Sequence, residues 1–401
     1  NSAADNFAFS TSAYSVNEGT DAGTGLGVDG TGFRVITVSR TGTASEINSG
    51  TATVDYATTD GSASRLRDYT QTLGTLVFGP GETTKTFTVF VVDDAFQEGA
   101  ETVTLTLSNP VGATLGGIQT ATLTINSNDV ASGPSPVRAA SFNNAFFVRQ
   151  QYLDFLNREP DTSGFGFWQG NITECGSDEP CKEVKRINVS AAFFLSIEFQ
   201  NTGYLVERTY KTAYGDATSP GVAGTVPVIR LNEFLPDTQR IGRGVIVGAA
   251  GWEQALEANK QAYMLEFVLR PRFLAAFPLT LTPAQFVDKL VQNAGITLTA
   301  ADRDALIAVL GTTPADASKR AQVLRAVAEH QQLRNNEFRR AFVLMEYFGY
   351  LRRNPDDPQD ADFRGWKFWL DKLNEFNGNY VQAEMVKAFL DSTEYRQRFG
   401  L

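Results

Sequence analysis

The chain has 401 residues and a net charge of −10. A single hydrophobic core stops growing at roughly 250–300 residues, so we expect more than one domain. Residues 1–129 contain 14 acidic and 5 basic side chains, whereas the remainder is close to neutral. An acidic surface repels phosphate, which argues against nucleic acid as a partner, and the lack of an 18-residue apolar stretch predicts no membrane-spanning helix.

Up to residue 129, short segments rich in Val, Thr and Phe alternate with Gly, Asn and Asp. Alternation of period two over such short segments indicates antiparallel strands. The predicted strands are Phe33–Ser39, Gly50–Ala57, Thr75–Phe78, Thr84–Val92, Glu101–Leu107 and Thr120–Ile125. Six or seven strands at this spacing predict an antiparallel β-sandwich over residues 1–129.

Two apolar segments precede this main strand set, one containing Phe7 and Phe9 and the other containing Tyr14 and Val16. Neither carries the charge or proline that usually protects an edge strand. The first interpretation is a connector that adds to the sheet of a second subunit, a head-to-tail geometry that gives an open filament. The alternative is that the segment pairs with its own sheet.

The pattern changes at a Gly/Ser/Pro-rich linker, residues 130–141. Beyond it, apolar residues recur with the period of 3.6 that predicts helices. Thr282 before Pro283 and Thr299 before an Ala-Ala-Asp stretch have the residue types of helix N-caps. Residues 142–401 are therefore predicted to be all-α.

The helical region repeats itself at about 142–215 and 335–400. Tyr152–Asp161 aligns with Tyr347–Asp356, and each segment is followed by a glycine and aromatic element, Gly164–Trp168 and Gly365–Trp369. A later segment also matches, Ala192–Phe199 with Ala388–Tyr395, and a degenerate copy is predicted between the two. Repeated units that bury an aromatic face against one another predict a multi-lobed helical body.

The chain has two cysteines, Cys175 and Cys181, separated by a loop in which Gly176 and Pro180 favour a reversal. We expect a local disulfide, which implies an oxidising compartment. A reduced pair and half of a zinc site are the alternatives, although a four-ligand zinc site lacks partners when His330 is the only histidine.

Carboxylates concentrate in the turns where the strands end, notably at Asp93, Asp94, Glu98, Glu101 and Asp129. Carboxylate oxygens at converging turns suit calcium, a hard cation that takes six to eight oxygen ligands. The pattern predicts a calcium-stiffened sandwich. The alternative is that these are ordinary solvated turn residues.

Residues 7–129 resemble a Calx-β domain. The motifs that carry the resemblance are Val16-Asn-Glu-Gly19, Tyr56–Ala63 followed by Asp68-Tyr69, Phe78–Glu82, and the acidic segment Asp93–Glu101. The resemblance implies an immunoglobulin-like sandwich with calcium at one end. It assigns the ligands to Glu18, Asp60, Asp93, Asp94, Glu98 and Asp129. Where strong calcium binders of the family have consecutive aspartates, this chain has Asn126-Ser-Asn-Asp129, which removes negative charge.

Residues 142–400 resemble the bacterial domain-of-unknown-function family 4214, through the tyrosine, Arg-x-Pro-Asp, Gly-x-x-x-Trp and distal Ser-x-Glu-aromatic motifs of the two copies. That family occurs in secreted and surface-layer-associated bacterial proteins. The resemblance implies an extracellular or cell-surface location, and the residues Asn1–Ala4 fit what remains after a signal peptide is cleaved. It implies no activity.

No catalytic constellation stands out in the sequence. His330 lies in a helical stretch without a nucleophile elbow, and no glycine-rich phosphate loop follows a strand. A carboxylate pair for glycoside hydrolysis stays open, because 45 acidic residues permit many pairs. We predict a protein that is not an enzyme.

Two non-enzymatic functions fit the pattern best. The first is a self-assembling homopolymeric subunit of an extracellular filament or surface layer. The second is a calcium-dependent adhesin that binds carbohydrate or matrix. A non-catalytic part of a secreted enzyme is a minor third alternative.

Overall fold

The computed structural model describes residues 5–21, 23–129 and 143–400. Their contacts divide them into two compact units. The first unit contains the described residues up to Val189 together with those from Leu390 onward, and the second unit is Ser190–Phe389. The predicted linker 130–141 lies outside the described residues, and the first unit continues past it.

The N-terminal part of the first unit is the predicted sandwich. Its strands are β1 (Asn6–Phe9), β2 (Ala13–Asn17), β3 (Val28–Asp29), β4 (Gly32–Thr41), β5 (Ala52–Asp60), β6 (Leu73–Phe78), β7 (Thr84–Phe90), β8 (Glu101–Val111), β9 (Thr114–Leu115) and β10 (Thr120–Asn126). One sheet joins β3, β4, β1 and β9 in that order, with β7 also paired to β4. The other sheet has the order β2-β10-β8-β5-β6.

The strands alternate buried and exposed residues, as a sandwich with one wet face on each sheet requires. In β5, for example, Ala52, Val54 and Tyr56 point into the core while the residues between them are partly exposed. The inward side chains of both sheets form one continuous apolar cluster. Tyr56 and Phe87 stack across it with ring centroids 4.1 Å apart.

The N-terminal segment pairs within its own sandwich. β1 is antiparallel to β4, β2 is parallel to β10, and the side chains of Phe7, Phe9, Tyr14 and Val16 are all buried in the core. The structure therefore corrects the expectation that these four side chains are free to serve as a connector. The segment forms the first strands of its own two sheets. The physical reason is the period-two burial of β1 and β2, which places these four apolar side chains in the core while the alternate residues face outward.

The helices follow in both units. They are α1 (Ala44–Asn48, within the sandwich), α2 (Asn144–Gln151), α3 (Thr162–Thr173), α4 (Glu179–Leu195), α5 (Ile197–Asn201), α6 (Gly203–Tyr214), α7 (Leu231–Gly242), α8 (Trp252–Phe267), α9 (Pro271–Ala276), α10 (Pro283–Ala294), α11 (Ala300–Leu310), α12 (Ala317–Ala328), α13 (Gln331–Glu346), α14 (Arg364–Glu375), α15 (Met385–Asp391) and α16 (Thr393–Arg396). Thr282 and Thr299 cap α10 and α11 as predicted, each accepting a hydrogen bond from the third residue of its helix. No helix in the described ranges is long and apolar enough to cross a membrane.

The two repeat copies share an unusual backbone feature. Both α2 and α13 run into a π-helical turn, Tyr152–Leu156 and Tyr347–Leu351, and each turn ends at a residue of positive φ, Asn157 or Arg352. The tyrosine that opens each turn lies against the first glycine of the next helix. In the described part of the chain the π-helical turn occurs at these two places only, so the intervening region does not reproduce it.

The distal motif of each copy is a helix start. Ser196 caps α5 by accepting from the Phe199 amide, and Ser392 caps α16 by accepting from the Tyr395 amide. The capped segment of the first copy belongs to the second unit, whereas that of the second copy belongs to the first unit.

The second unit is built around α6, of which Gly203–Ala213 are all buried. Helices α7, α10, α12 and α13 pack against it. Asp237 of α7 lies in this interior and is paired with Arg270 at 2.6 Å. A buried carboxylate needs such a partner, so this pair is part of what fixes α7.

Candidate metal centre

The strand register brings acidic residues to one end of the sandwich. β2 and β10 run in parallel with Asn17 opposite Asn126, so the segments that follow both strands leave the sheet together. β8 is antiparallel to β10 and to β5, which places the start of β8 and the end of β5 at that same end. The loops that leave these strand ends carry the acidic side chains.

The first group consists of Glu18 after β2, Asp94 in the loop between β7 and β8, and Asp129 after β10. One carboxylate oxygen of each lies within 4.8 Å of one oxygen of the other two. Asp94 is held in place because its Oδ1 accepts a hydrogen bond from the Phe96 amide at 2.7 Å. Glu18 and Asp94 are both buried.

The second group consists of Asp68, Glu98 and Glu101, with the same mutual spacing. Asp68 lies in the loop between β5 and β6, where its Oδ2 accepts a hydrogen bond from the Ser64 amide at 2.5 Å. Glu98 precedes β8, and Glu101 is the first residue of that strand. The two groups are neighbours, since the charges of Glu18, Glu98 and Asp68 all act on Asp94.

Each of the six carboxylates has one buried oxygen without a hydrogen-bond donor among the described residues. These oxygens are Oε2 of Glu18, Glu98 and Glu101, Oδ1 of Asp68, and Oδ2 of Asp94 and Asp129. A buried polar atom without a partner costs roughly 1–3 kcal/mol, and more when it is charged. Six such atoms directed into two small volumes are the donor set that a hard divalent cation takes.

The pKa values of the clustered carboxylates also favour a bound cation. Burial, together with the charges of neighbouring carboxylates, raises the pKa of Glu18 to about 7, that of Asp94 to about 8 and that of Glu101 to about 7. Burial also raises the pKa of Asp68, Glu98 and Asp129. Without a cation, these groups resist being ionised together.

The ligands assigned from the sequence do not all lie in one carboxylate group. Glu18, Asp94 and Asp129 come together, whereas Glu98 belongs to the second group. Asp93 borders the first group and accepts a hydrogen bond from the Asn128 side chain at 3.2 Å.

Asp60 lies outside both groups. Its Oδ1 accepts hydrogen bonds from the Arg65 amide at 2.9 Å and from the Tyr69 hydroxyl at 2.7 Å. In this structure Asp60 therefore shapes the loop that presents Asp68.

The ligands assigned through the family resemblance omitted Asp68 and Glu101, although Glu101 was among the turn carboxylates for which the sequence pattern predicted calcium. Both stood in the motifs that carry the resemblance, and the position of Glu101 at the start of a predicted strand was the available signal. Asp68 had no comparable signal, because a long loop separates it from the strand ends. The asparagines that replace aspartates have structural partners instead, since Asn128 binds Asp93 and Asn126 donates to Asn17 at 3.0 Å.

Comparison with known families bears directly on this site. Residues 2–129 match the family model of the Calx-beta domain. The chain carries a Calx-beta domain. Residues 137–203 match the Domain of unknown function (DUF4214), a range that covers most of the first repeat copy and none of the second. The predicted order of the two families is confirmed, and so is the fold class.

Curated proteins match over short stretches of the chain. Sodium/calcium exchanger 3 of Homo sapiens is 50% identical over 56 residues, which are 14% of this chain and 6% of that protein. Sodium/calcium exchanger 1 of Mus musculus is 44% identical over 59 residues, 15% of this chain and 6% of that protein. The match thus spans only about a sixteenth of the length of these relatives.

Solved structures match the N-terminal part. The apo-form Calx CBD1 domain is 29% identical with a TM-score of 0.27, covering 32% of this chain and 100% of that one. The calcium-binding domain CBD12 of CALX1.1 is 31% identical with a TM-score of 0.27, covering 31% of this chain and 45% of that one.

Three other residues singled out by the sequence have structural roles outside the two carboxylate groups. Cys175, in the turn after α3, is joined by a disulfide to Cys181 in the first turn of α4. His330 is the N-cap of α13, where its Nδ1 accepts a hydrogen bond from the Gln332 amide at 3.3 Å.

Proposed function

We propose that this chain is a calcium-binding structural module of an extracellular bacterial protein, and that it is not an enzyme. The observation that carries the proposal is the convergence of six carboxylates, each with one buried oxygen that has no hydrogen-bond donor among the described residues, at one end of a Calx-beta domain. Calcium at this end would neutralise charges that otherwise repel one another and would join the β2, β7–β8 and β10 loops. The disulfide supports the extracellular location, because such bonds persist in oxidising compartments.

Thermal unfolding with calcium and with a chelator tests the calcium site. A ligand at a hundred times its dissociation constant stabilises the native state by about 2.7 kcal/mol, so we expect the first unit to melt roughly 5–10 °C higher with calcium. The double variant Glu18→Gln/Asp94→Asn should lose that difference.

The matched control is Glu82→Gln, which removes a carboxylate of the same domain that is paired with Lys85 outside both groups. It should keep the full calcium effect, and calorimetric titration of the wild type should detect bound calcium. Identical melting curves with calcium and with chelator, together with no heat of binding, would refute the proposal.

The proposal also includes self-assembly of the chain. β6 is an edge strand whose strand partner among the described residues is β5, it contains no charged residue, and Val77 on it is 40% exposed. An uncharged edge of this kind can accept a strand from another chain. These features support a homopolymeric subunit of a filament or surface layer.

Adhesion is the second candidate, and exposed aromatic residues favour it. Phe167 and Phe368 occupy equivalent positions in the two copies, are 61% and 57% exposed, and each lies edge-on to the tryptophan that follows it. Beside Trp168 is a groove of about 530 Å³ that also contains Asn171 and Asn188. An aromatic ring next to planar amides suits a carbohydrate or a matrix polymer.

A further inference from the structure

The loops that carry the calcium ligands are held by residues from outside the sandwich. Arg398, near the C-terminus, donates from Nε to the carbonyl of Leu66 at 3.0 Å. Leu66 lies two residues before Asp68 in the loop that presents this carboxylate to the second group. A residue 332 positions away in the sequence thus fixes the backbone of a ligand loop.

The same arginine is anchored on the helical side of the first unit. Its two terminal nitrogens bind the two oxygens of Asp154 at 3.1 and 3.0 Å. Both side chains are buried, and the guanidinium also lies over the ring of Phe399. A bidentate buried pair has little freedom, so the position of Leu66 is coupled to that of the C-terminal segment, residues Leu390–Gly400.

A second contact reaches the other ligand loop. Gly400 has a φ of +82°, and a Cβ built on it would lie 3.4 Å from the Cβ of Ala95. Ala95 directly follows Asp94. Phe399, the neighbour of Gly400, packs edge-on against Phe146 of α2 at 5.0 Å, so the C-terminal segment is held from both sides.

A third contact comes from α2. Arg149 is buried and donates to the carbonyls of Gly32 at 3.0 Å and Val91 at 3.4 Å, while pairing with Glu159 at 2.6 Å. Val91 lies just before Asp93 and Asp94 in the chain. The loop between β7 and β8 is therefore supported by α2 at Val91, and Gly400 of the C-terminal segment lies close to it at Ala95.

We infer that the C-terminal segment is a positive regulator of the calcium site, and that calcium binding and docking of this segment strengthen each other. The inference rests on the proposed calcium function and adds to it. The physical reason is preorganisation: the segment holds the backbone at Leu66 by a hydrogen bond and lies close to Ala95, so fewer conformations are lost when a cation binds. Because coupling between two binding events is reciprocal, calcium must tighten the segment as much as the segment tightens calcium.

Simple electrostatics predicts the opposite effect of Arg398 on calcium affinity. Arg398 is a cation near the ligand loops, so its charge alone disfavours calcium, and removing it should then raise the affinity. The sign of the change therefore separates preorganisation from charge repulsion.

The test is calcium titration of the full chain carrying Arg398→Gln. We expect roughly tenfold weaker calcium binding, within the 5–150-fold range typical of coupled sites. The control is Arg396→Gln, which removes a cation of the same segment that is paired with Asp391 instead of a ligand loop, and it should bind calcium as the wild type does.

Loss of Arg398 removes the cation that is paired with the buried Asp154 and could unfold the variant. Hydrogen exchange of the wild type is therefore the second measurement: calcium should slow exchange of the amides of residues 393–400, whereas those of α10 should not change. Unchanged exchange at 393–400 in a protein that binds calcium, or an Arg398→Gln affinity equal to or above that of the wild type, would overturn the inference alone. A wild type that binds no calcium would overturn the proposed function and this inference together.

Discussion

The two repeat copies differ at the residue that precedes the π-helical turn, which is a buried glutamate in the second copy. Glu346, the last residue of α13, is 1% exposed, and its Oε2 has no hydrogen-bond partner in the described part of the chain. Burial raises the pKa of this side chain well above its ordinary value. The first copy has Gln151 at the equivalent position, one residue before the tyrosine that opens the π-helical turn. An uncharged side chain of the same shape is thus already used in this environment.

We therefore expect Glu346→Gln to stabilise the protein, and to do so more as the pH rises. The native state binds a proton that the unfolded state releases near its usual pKa of about 4.3, so the wild type loses stability as the pH rises above that value. The gain in free energy of unfolding should be on the order of 1–3 kcal/mol larger at pH 8 than at pH 5.

Chemical denaturation at the two pH values measures this difference. Glu375→Gln on the exposed face of α14 serves as the control and should change stability little at either pH. A variant of Glu346 that is equally stable relative to the wild type at pH 5 and pH 8 would show that this carboxylate is ionised in the native state.

Among the elements, the π-helical turns explain part of the repeat motif. The first glycine of each Gly-x-x-x-Trp element lies on the helix that follows the turn, against the hydroxyl of the turn's first tyrosine. At Gly365 an added Cβ would lie 2.6 Å from the Tyr347 hydroxyl. The tyrosine and the glycine, 18 residues apart, are therefore one packing unit.

Gly365→Ala should destabilise the protein by roughly 1–3 kcal/mol through overpacking, although alanine normally favours a helix over glycine. Tyr347→Phe removes the oxygen that causes the clash, so the double variant should recover part of the loss. A double-mutant cycle on unfolding free energies measures this coupling.

The control uses the equivalent helix of the first copy. Gly166 in α3 has no atom within 4 Å of an added Cβ, so Gly166→Ala should be neutral or stabilising by up to about 1 kcal/mol. Additive effects of Gly365→Ala and Tyr347→Phe would mean that the backbone shifts to make room and that the hydroxyl is not the constraint.

Across the whole molecule, the sequence predicted what depends on local pattern. The period-two segments became β4 to β8 and β10, and the turn carboxylates converge because strand register places those turns together. The sequence did not predict which distant segments pack together within each unit. The contact between Arg398 and Leu66 joins residues 332 positions apart, and no periodicity or motif marks an arginine that will bind a distant carbonyl.

The same limit applies to the assembly surface. The segments with Phe7 and Tyr14 looked unprotected because their partners β4 and β10 lie far along the chain. Removing residues 1–12 would now delete β1 from the core, so loss of polymer in that variant would report unfolding. β6 is an uncharged edge strand that carries the exposed apolar residue Val77, and assembly is best tested there.

We expect the wild-type chain to sediment as a polymer at high concentration with calcium, and Val77→Lys to sediment as a monomer. A lysine on the exposed face of an edge strand disfavours the approach of another strand, while leaving the pairing of β6 with β5 intact. Val111→Lys is the control, because Val111 is 63% exposed on the same sheet but lies on β8, where it pairs with Thr53 of β5, away from β6. It should polymerise as the wild type does.

Loss of polymer in both variants would point to a general charge effect. A wild type that stays monomeric under these conditions would remove the structural-subunit proposal, and the exposed Phe167 and Phe368 would then make adhesion the function to pursue.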